Sequence, residues 1–537
     1  MATINYPGVL LQEVDQSNFV PNFATSSAAI VGYAVKGDVD DIRLISNSQQ
    51  FISEYGSPVP GNYFHYSALA YLSNGQSLYC LRVMNGALYG GVAISDYGVT
   101  NEQFTVGRAA KTWAADSDYP SAIFYITATN PGVWNNGLGI QIANVDQSGF
   151  TFDILVYLQD SDGNYQLVET FTVSRKQQLD GFGRQQYLED AINGVSKYIS
   201  VADSTASEAI SPNVQAVTFA FLGGTDGTTP IDATYTGSND GKGWDAFINE
   251  NTIDVRMLIG AGQTSVTVQT KIKAVAESRL DCVAILDVPL AQCSAVTSIK
   301  TWRQSTQNFN SSYCALYAPW LKVYDPYNDK IVAVPVSGYA ASQYAYNDYV
   351  ANSWDAPAGF NRGVLNVLGL DFNGISKTAF TNAEIGTLYD AQVNVVQSFI
   401  GDGVVIWGQK TEQTKASALD RVNVRRLMIM IEKPVARQAR YFLFQPNNSR
   451  TRFQLWAVVD EYLSKLASGG AFQGELGDNG YRVVCDTTNN TPATIDANEL
   501  HLDIYIKPSR SAEFIIIQAI ITKTSASFNE IISRNTI

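Results

Sequence analysis

The chain is short of charge, histidine and cysteine. Of its 537 residues, 16% are Asp, Glu, Lys or Arg, two are His and five are Cys. Two histidines leave little material for imidazole acid–base or metal chemistry. His65 sits in the apolar stretch YFHYSALAYL, and His501 alternates with Leu500 and Leu502 on a strand pattern. Neither has a ligand neighbour at metal spacing, so no cofactor or metal is expected. Cys80, Cys282, Cys293, Cys314 and Cys485 are scattered without C-x-x-C spacing. That odd, sparse set argues against a disulfide framework and for a reducing compartment. No window approaches 18 uninterrupted apolar residues, so no membrane span or direct membrane insertion is expected. The start lacks a basic segment followed by an apolar run, so no signal peptide is read there. Basic residues are outnumbered 36 to 50, giving a net charge of −14. Wrapping nucleic acid needs a basic footprint, so nucleic acid is not expected as a partner.

What is present is globular. Hydrophobic residues make up 45%, with 29 Tyr, 24 Phe and eight Trp. The length allows two to four domains with ample core. The aromatic content suits interfaces and β-rich cores alike.

Strand–helix alternation dominates two stretches. SAAIVGYAV reads as a buried strand, SNSQQFISEYG as a capped short helix with a Gly stop, YFHYSALAYLSNG as a second helix and SLYCLRVM as a strand. Residues 250–345 repeat the pattern with IDVRMLIGA, VTVQTKIKAVAESRL, DCVAILDVP, AVTSIKTWRQST and YCALYAPWLKVY. Such alternation implies a parallel sheet, which residues 24–85 can join. Residues 91–240 instead show AIFYITATN, TFDILVYL and YQLVETFTV between Gly, Asn and Asp turns, a mostly β insertion. Two helices are expected in 415–467. Val424, Leu427, Met428 and Ile431 form one stripe; Leu455, Val458, Val459, Tyr462, Leu463 and Leu466 lie on the other. Pro434 should kink or end the first. YRVVCD, ELHLDIYIKP and AEFIIIQAIIT then read as three strands. The expected fold class is α/β and α+β multidomain: a parallel-type α/β sheet domain, a mostly β inserted domain and a C-terminal α+β domain.

Chemical motifs are weak. GSNDGKGW has Gly237, Gly241 and Lys242, but it is one residue short of a phosphate loop and places Gly243 where Ser or Thr should bind Mg²⁺. QDSDGNYQ offers Asp160, Asp162 and Asn164, yet Phe171 stands where a Ca²⁺ loop needs Glu; a hairpin turn is the better reading. No G-x-S-x-G elbow occurs. Charge is more informative. Residues 421–465 hold nine basic and three acidic residues, reversing the sign of the chain. That block is either a face aimed at an acidic partner or the basic half of internal ion pairs.

Several stretches, in order, resemble one family. YPGVLLQEVD and ATSSAAIVGYAVKG are similar to the N-terminal signature of contractile tail sheath proteins of phages and related injection machines. APWLKVYDPYNDKIVAVPVSGYAA and WDAPAGFNRG resemble their middle signature. VNVRRLMIMIEKPV, FQPNN and CDTTNNTPATIDANELHLDIYIKPSRSAEF resemble their C-terminal domain. Only about 91–245 has no counterpart.

The resemblance implies a non-enzymatic structural subunit of a virion tail, assembled in the host cytoplasm. Subunits would form stacked hexameric rings, a helical homo-oligomer, around a tail tube, with baseplate and tail terminator proteins as further partners. Contraction would drive the tube through the host envelope during genome delivery. The domains would be an N-terminal arm at 1–21, a middle domain at 22–90 plus 245–410, a protrusion at 91–244, a tube-facing C-terminal core at 411–522 and a C-terminal arm at 523–537. Terminal strands exchanged between neighbours would engage Ile4, Tyr6, Val9, Leu11, Val14, Phe528, Ile531 and Ile532. Arg421, Arg425, Arg426, Lys433, Arg437 and Arg440 would be the tube-facing basic candidates. Competing readings are an α/β enzyme with an unidentified ligand site, the sheath of a non-phage contractile injection system, and another virion protein such as a capsid or tube subunit.

Overall fold

The computed structural model describes residues 26–95, 104–105, 122–146, 148, 150–160, 162–203, 218–238, 241–475 and 478–517. Its centre is a nine-stranded sheet. In chain order the strands are β1 (Ser27–Gly32), β2 (Ile42–Ile45), β3 (Ser77–Arg82), β4 (Met257–Ile259), β5 (Val283–Asp287), β6 (Cys314–Ala318), β7 (Val364–Leu365), β8 (Val393–Phe399) and β9 (Gly403–Ile406). In space the order is β7-β9-β8-β6-β5-β4-β1-β3-β2. The six strands from β8 to β3 are parallel; β2, β9 and β7 add antiparallel edges. β1, β4, β5 and β6 are buried along their whole length. Coverage on both faces is why these strands read as continuous apolar runs rather than alternating ones.

Helices α1 (Ser48–Tyr55) and α2 (Tyr63–Leu72) connect β2 to β3. The Asn47 side chain caps α1 by accepting from Gln50 N at 2.8 Å, and Gly56 ends it at φ 86°. Helix α3 (Val266–Arg279) connects β4 to β5, and α4 (Ser337–Val350) lies between β6 and β8. Helices α2 and α4 approach so closely that a Cβ on Gly338 would lie 2.5 Å from the Cα of Ser67. The sequence YCALYAPWLKVY is not one strand. It divides at Pro319, which has no N–H for a ladder, and Trp320–Asp325 joins Lys330–Val334 and Gly369–Asp371 in a separate antiparallel sheet.

Within residues 91–220 lie two four-stranded antiparallel sheets with their own core, including Val92, Ile126, Leu138, Phe152 and Val156. The Thr151–Gln159 and Tyr165–Val173 strands form a hairpin. Asp160 Oδ1 accepts from the N–H groups of Asp162 and Asn164, so the DSDGN stretch is turn chemistry. Arg82, fully buried at the end of β3, donates to the carbonyls of Ala34, Gly37, Val35 and Pro131. It thereby ties the root of this region to the central sheet.

The C-terminal part is built on α5 (Val422–Ala439) and α6 (Ser449–Ser468), followed by strands β10 (Tyr481–Val484) and β11 (Asp503–Ile506), which pair antiparallel. Leu427, Ile431 and Val435 share a core with Leu455, Val459, Leu463 and Leu466. Pro434 does not end α5. It removes the N–H that would bond the Met430 carbonyl, and Tyr462 of α6 donates its hydroxyl to that carbonyl instead, at 2.7 Å. The third C-terminal strand is also corrected. Residues 511–517 lie outside any strand, and Phe514, Ile515, Ile516 and Ile517 are 75–92% exposed. Neither β10 nor β11 pairs with a third strand among the described residues, so both edges of that sheet are left open and this run joins neither.

Candidate functional site

The six basic candidates lie on or beside α5, and most point into the molecule. The resemblance makes Arg425 and Arg426 tube-facing, while the charge pattern alone left open an outward face or internal ion pairs. Both are buried, 4% and 7% exposed. The reason is that α5 is covered on two sides, by α6 and by the central unit. Arg426 Nη2 bonds both carboxylate oxygens of Asp348, on α4, at 2.7 and 2.6 Å, and its guanidinium lies 5.0 Å from the Tyr344 ring centre. Arg425 stacks 4.4 Å from the ring of Tyr313 and reaches Glu432 at 3.2 Å. Lys433 bonds Asp254 at 3.2 Å and also Asp281. Asp281 is further held by Arg279 at 2.8 Å and Arg256 at 3.7 Å.

The ends of the row are more open. Arg421 donates to Glu513 at 2.7 Å and to the Tyr389 hydroxyl at 2.6 Å. Burial opposes ionisation of Glu513, but hydrogen bonds from Arg421 and Tyr389 outweigh it and hold the carboxyl below the usual range. Arg440 is exposed and meets Glu250 at 3.6 Å, and Arg437 is exposed. The basic block is thus largely an ionic seam between α5 and acidic residues of the central unit. The strand-exchange candidates Ile4, Tyr6, Val9, Leu11, Val14, Phe528, Ile531 and Ile532 lie outside the described residues.

A second place was missed from sequence. Crossovers leave β1 and β4 toward opposite sides of the sheet, a switch point where doubly wound enzymes seat ligands. A cavity of about 560 Å³ lies there, lined by Tyr33, Tyr63, Asp226, Asp232, Tyr235 and Gln263 among others. The loop from β4 to α3 reads GAGQTS, and Gly260 and Gly262 at G-x-G spacing were the signal for it. In this chain Ser265, at the N-cap of α3, donates to Asp232 at 2.5 Å, and the Gly262 N–H donates to Asp287 at 3.1 Å. The chain's own carboxylates occupy the positions where a phosphate would be held, and their charge opposes an anionic ligand.

The histidines are structural. His65 is buried against the rings of Phe51 and Phe64, and burial pushes it down to about 4, so the ring is neutral. His501 pairs with Glu499 at 2.9 Å on the surface. Among the described residues no group of three or more His, Cys, Asp or Glu could hold a metal ion, and no helix is long and apolar enough to cross a membrane.

Comparison with known proteins gives this architecture a place. The model of the phage tail sheath protein central domain matches residues 222–412, and that of the phage tail sheath C-terminal domain matches residues 414–522. Together they take in more than half of the chain, which belongs to the phage tail sheath family. The tail sheath protein of Enterobacteria phage T4 is 34% identical over 311 residues, 54% of this chain and 45% of that relative. The aligned part of the chain spans less than half the length of the curated relatives it matches. Two solved structures share the fold. One is a sheath tail protein of Listeria innocua, with TM-score 0.58, 12% identity and coverage of 91% of this chain and 93% of that one. The other is the PVC sheath complex of an extracellular contractile injection system in its contracted state, with TM-score 0.52, 17% identity and coverage of 97% and 98%.

Proposed function

We propose that the chain is a structural subunit of a contractile tail sheath. It polymerises as stacked hexameric rings around a tail tube and contracts to drive the tube through the host envelope during genome delivery. The chain is assembled in the host cytoplasm, ends in the virion tail, and meets baseplate and tail terminator proteins at the two ends of the sheath. It has no catalytic role; the energy of contraction comes from the difference in contacts between two lattices.

In a chain of this family, the reading is carried by the exposed apolar run Phe514–Ile517, together with a β10–β11 sheet of only two strands among the described residues. Large apolar side chains in a row on the surface mark an interaction site. A sheet of two strands is marginal without further partners. Strand addition between neighbours answers both, with backbone hydrogen bonds giving affinity and alternate side chains giving register. Residues 1–21 and 523–537 are the donated arms, and Ile4, Tyr6, Val9, Leu11, Val14, Phe528, Ile531 and Ile532 their buried side chains. Of the tube-facing candidates, Arg437 and Arg440 are the ones exposed at the surface. The likeness to the PVC sheath favours, as a second reading, the sheath of a non-phage injection machine.

Negative-stain microscopy of the chain expressed alone, beside a version lacking residues 1–20, tests the proposal. Hollow tubes from the first and only monomers or rings from the second are expected. Monodisperse monomers from both would overturn it.

A further inference from the structure

The loop between α5 and α6 holds apolar surface that the chain's own cores leave uncovered. Leu443 N donates to the Arg440 carbonyl at 3.3 Å, Gln445 N to that of Phe442 at 3.2 Å, and Asn447 Nδ2 to that of Glu499 at 2.8 Å. These bonds fix the loop. Phe442 packs inward on the C-terminal core. Its neighbours do the opposite: Tyr441 is 69% exposed, Leu443 62% and Phe444 105%. Phe444 also has φ 65°, a left-handed conformation that bulky residues rarely adopt. One exposed Leu needs no explanation. An ordered loop that solvates three large apolar side chains and holds one in a strained conformation gains nothing from that arrangement within its own fold.

Along the sequence the charge flanking the loop has one sign, although in space Arg440 is answered by Glu250 at 3.6 Å and Arg452 is buried. No acidic residue occurs between Glu432 and Asp460, while Arg437, Arg440, Arg450 and Arg452 do. Aromatic anchors flanked by Arg are the composition of binding hot spots.

We propose that Tyr441, Leu443 and Phe444 form a fingertip that enters an apolar pocket rimmed by carboxylates on the tail tube. The inference rests on the tube-facing reading given above. The tube is preferred over a second copy of this chain because of size. Three side chains on one loop fall far short of the roughly 1,600 Å² buried in a lasting interface. They suit a contact made once per subunit and released when the sheath widens, whereas contacts between copies must persist.

The test mixes the full chain, and its Phe444→Asp and Tyr441→Ala/Leu443→Ser variants, with purified tail-tube cylinders from the particle that carries it. The substituted side chains are exposed, and Asp tolerates a left-handed φ, so the melting temperatures should be unchanged. Wild type should decorate the cylinders. The variants should bind them at least ~10-fold more weakly while still forming hollow sheaths in the absence of cylinders. Unchanged decoration would overturn the fingertip. Loss of the cylinder-free sheaths as well would place the loop between copies and also overturn it. Failure of wild type to decorate would sink the tube-facing reading itself, and the fingertip with it.

Discussion

Helix α5 is held on its two sides by opposite means. Toward α6, Leu427, Ile431 and Val435 share an apolar core with Leu455, Val459, Leu463 and Leu466. Toward the central unit, Arg426 meets Asp348, and Lys433 meets Asp254 and Asp281. The apolar side is non-directional, and its strength scales with area removed from water. The ionic side is directional. Its attraction is offset by the cost of desolvating both partners, so it adds little net stability but penalises any seating that leaves a charge alone. The first side supplies cohesion and the second fixes how α5 sits on the sheet.

The largest effect should come from breaking the ionic side by halves. Asp348→Ala strands the buried Arg426 guanidinium and should cost ~3–5 kcal/mol in urea unfolding. The double variant Asp348→Leu/Arg426→Met should recover most of that loss. Leu463→Ala, at a fully buried position, should cost a similar ~3–5 kcal/mol, but no second substitution at the seam should rescue it. Equal rescue in both cases would erase the distinction between the two sides.

A smaller effect is expected where the central and C-terminal family domains meet. Glu412 is fully buried, with Oε1 3.6 Å from Arg303 Nε. Burial pushes its carboxyl up to about 7, against the pull of Arg303 and Gln307. The folded value lies above the ordinary one, so the folded chain keeps a proton that the unfolded chain has lost. The contribution is therefore complete below about pH 4.5, falls as pH rises to about 7, and is flat above. Glu412→Gln should remove that slope and raise stability at pH 8 by on the order of 3 kcal/mol. An unchanged pH profile would refute the assignment.

The smallest effect concerns Tyr462. Tyr462→Phe leaves the Met430 carbonyl without a donor and should cost ~1 kcal/mol. Adding Pro434→Ala restores the helical N–H and should recover it. If the two substitutions merely add, the hydroxyl is not standing in for the missing N–H.

Local signals explain what could be read in advance. The Asn47 cap and Gly56 stop, the stripes of α5 and α6, and the strand–helix alternation depend on residues a few positions apart, and the structure shows those elements where the pattern put them. The fate of Arg425 and Arg426 could not be read that way. Asp348 is 78 residues from Arg426, and Asp254 is 179 from Lys433. A basic residue that seeks an outside partner and one that closes a distant internal pair look alike in sequence. The AEFIIIQAIIT run misled for a related reason. Its residues favour a strand, but a strand forms only by pairing with an edge, and its described part pairs with none among the described residues.

The hydroxyl of Tyr462 also acts as a positional key. Sliding α5 along α6 by one turn, about 5.4 Å, would bring the hydroxyl opposite carbonyls already saturated by helical N–H groups and leave that of Met430 bare. Only one alignment satisfies both partners, so the hydroxyl adds ~1 kcal/mol to the register that the packed stripes of the two helices already favour. Helix α5 is in turn joined through Arg426 to Asp348 and through Lys433 to Asp254 and Asp281 of the central unit. The pair is keyed to one register by a hydroxyl that fills the place of a missing N–H.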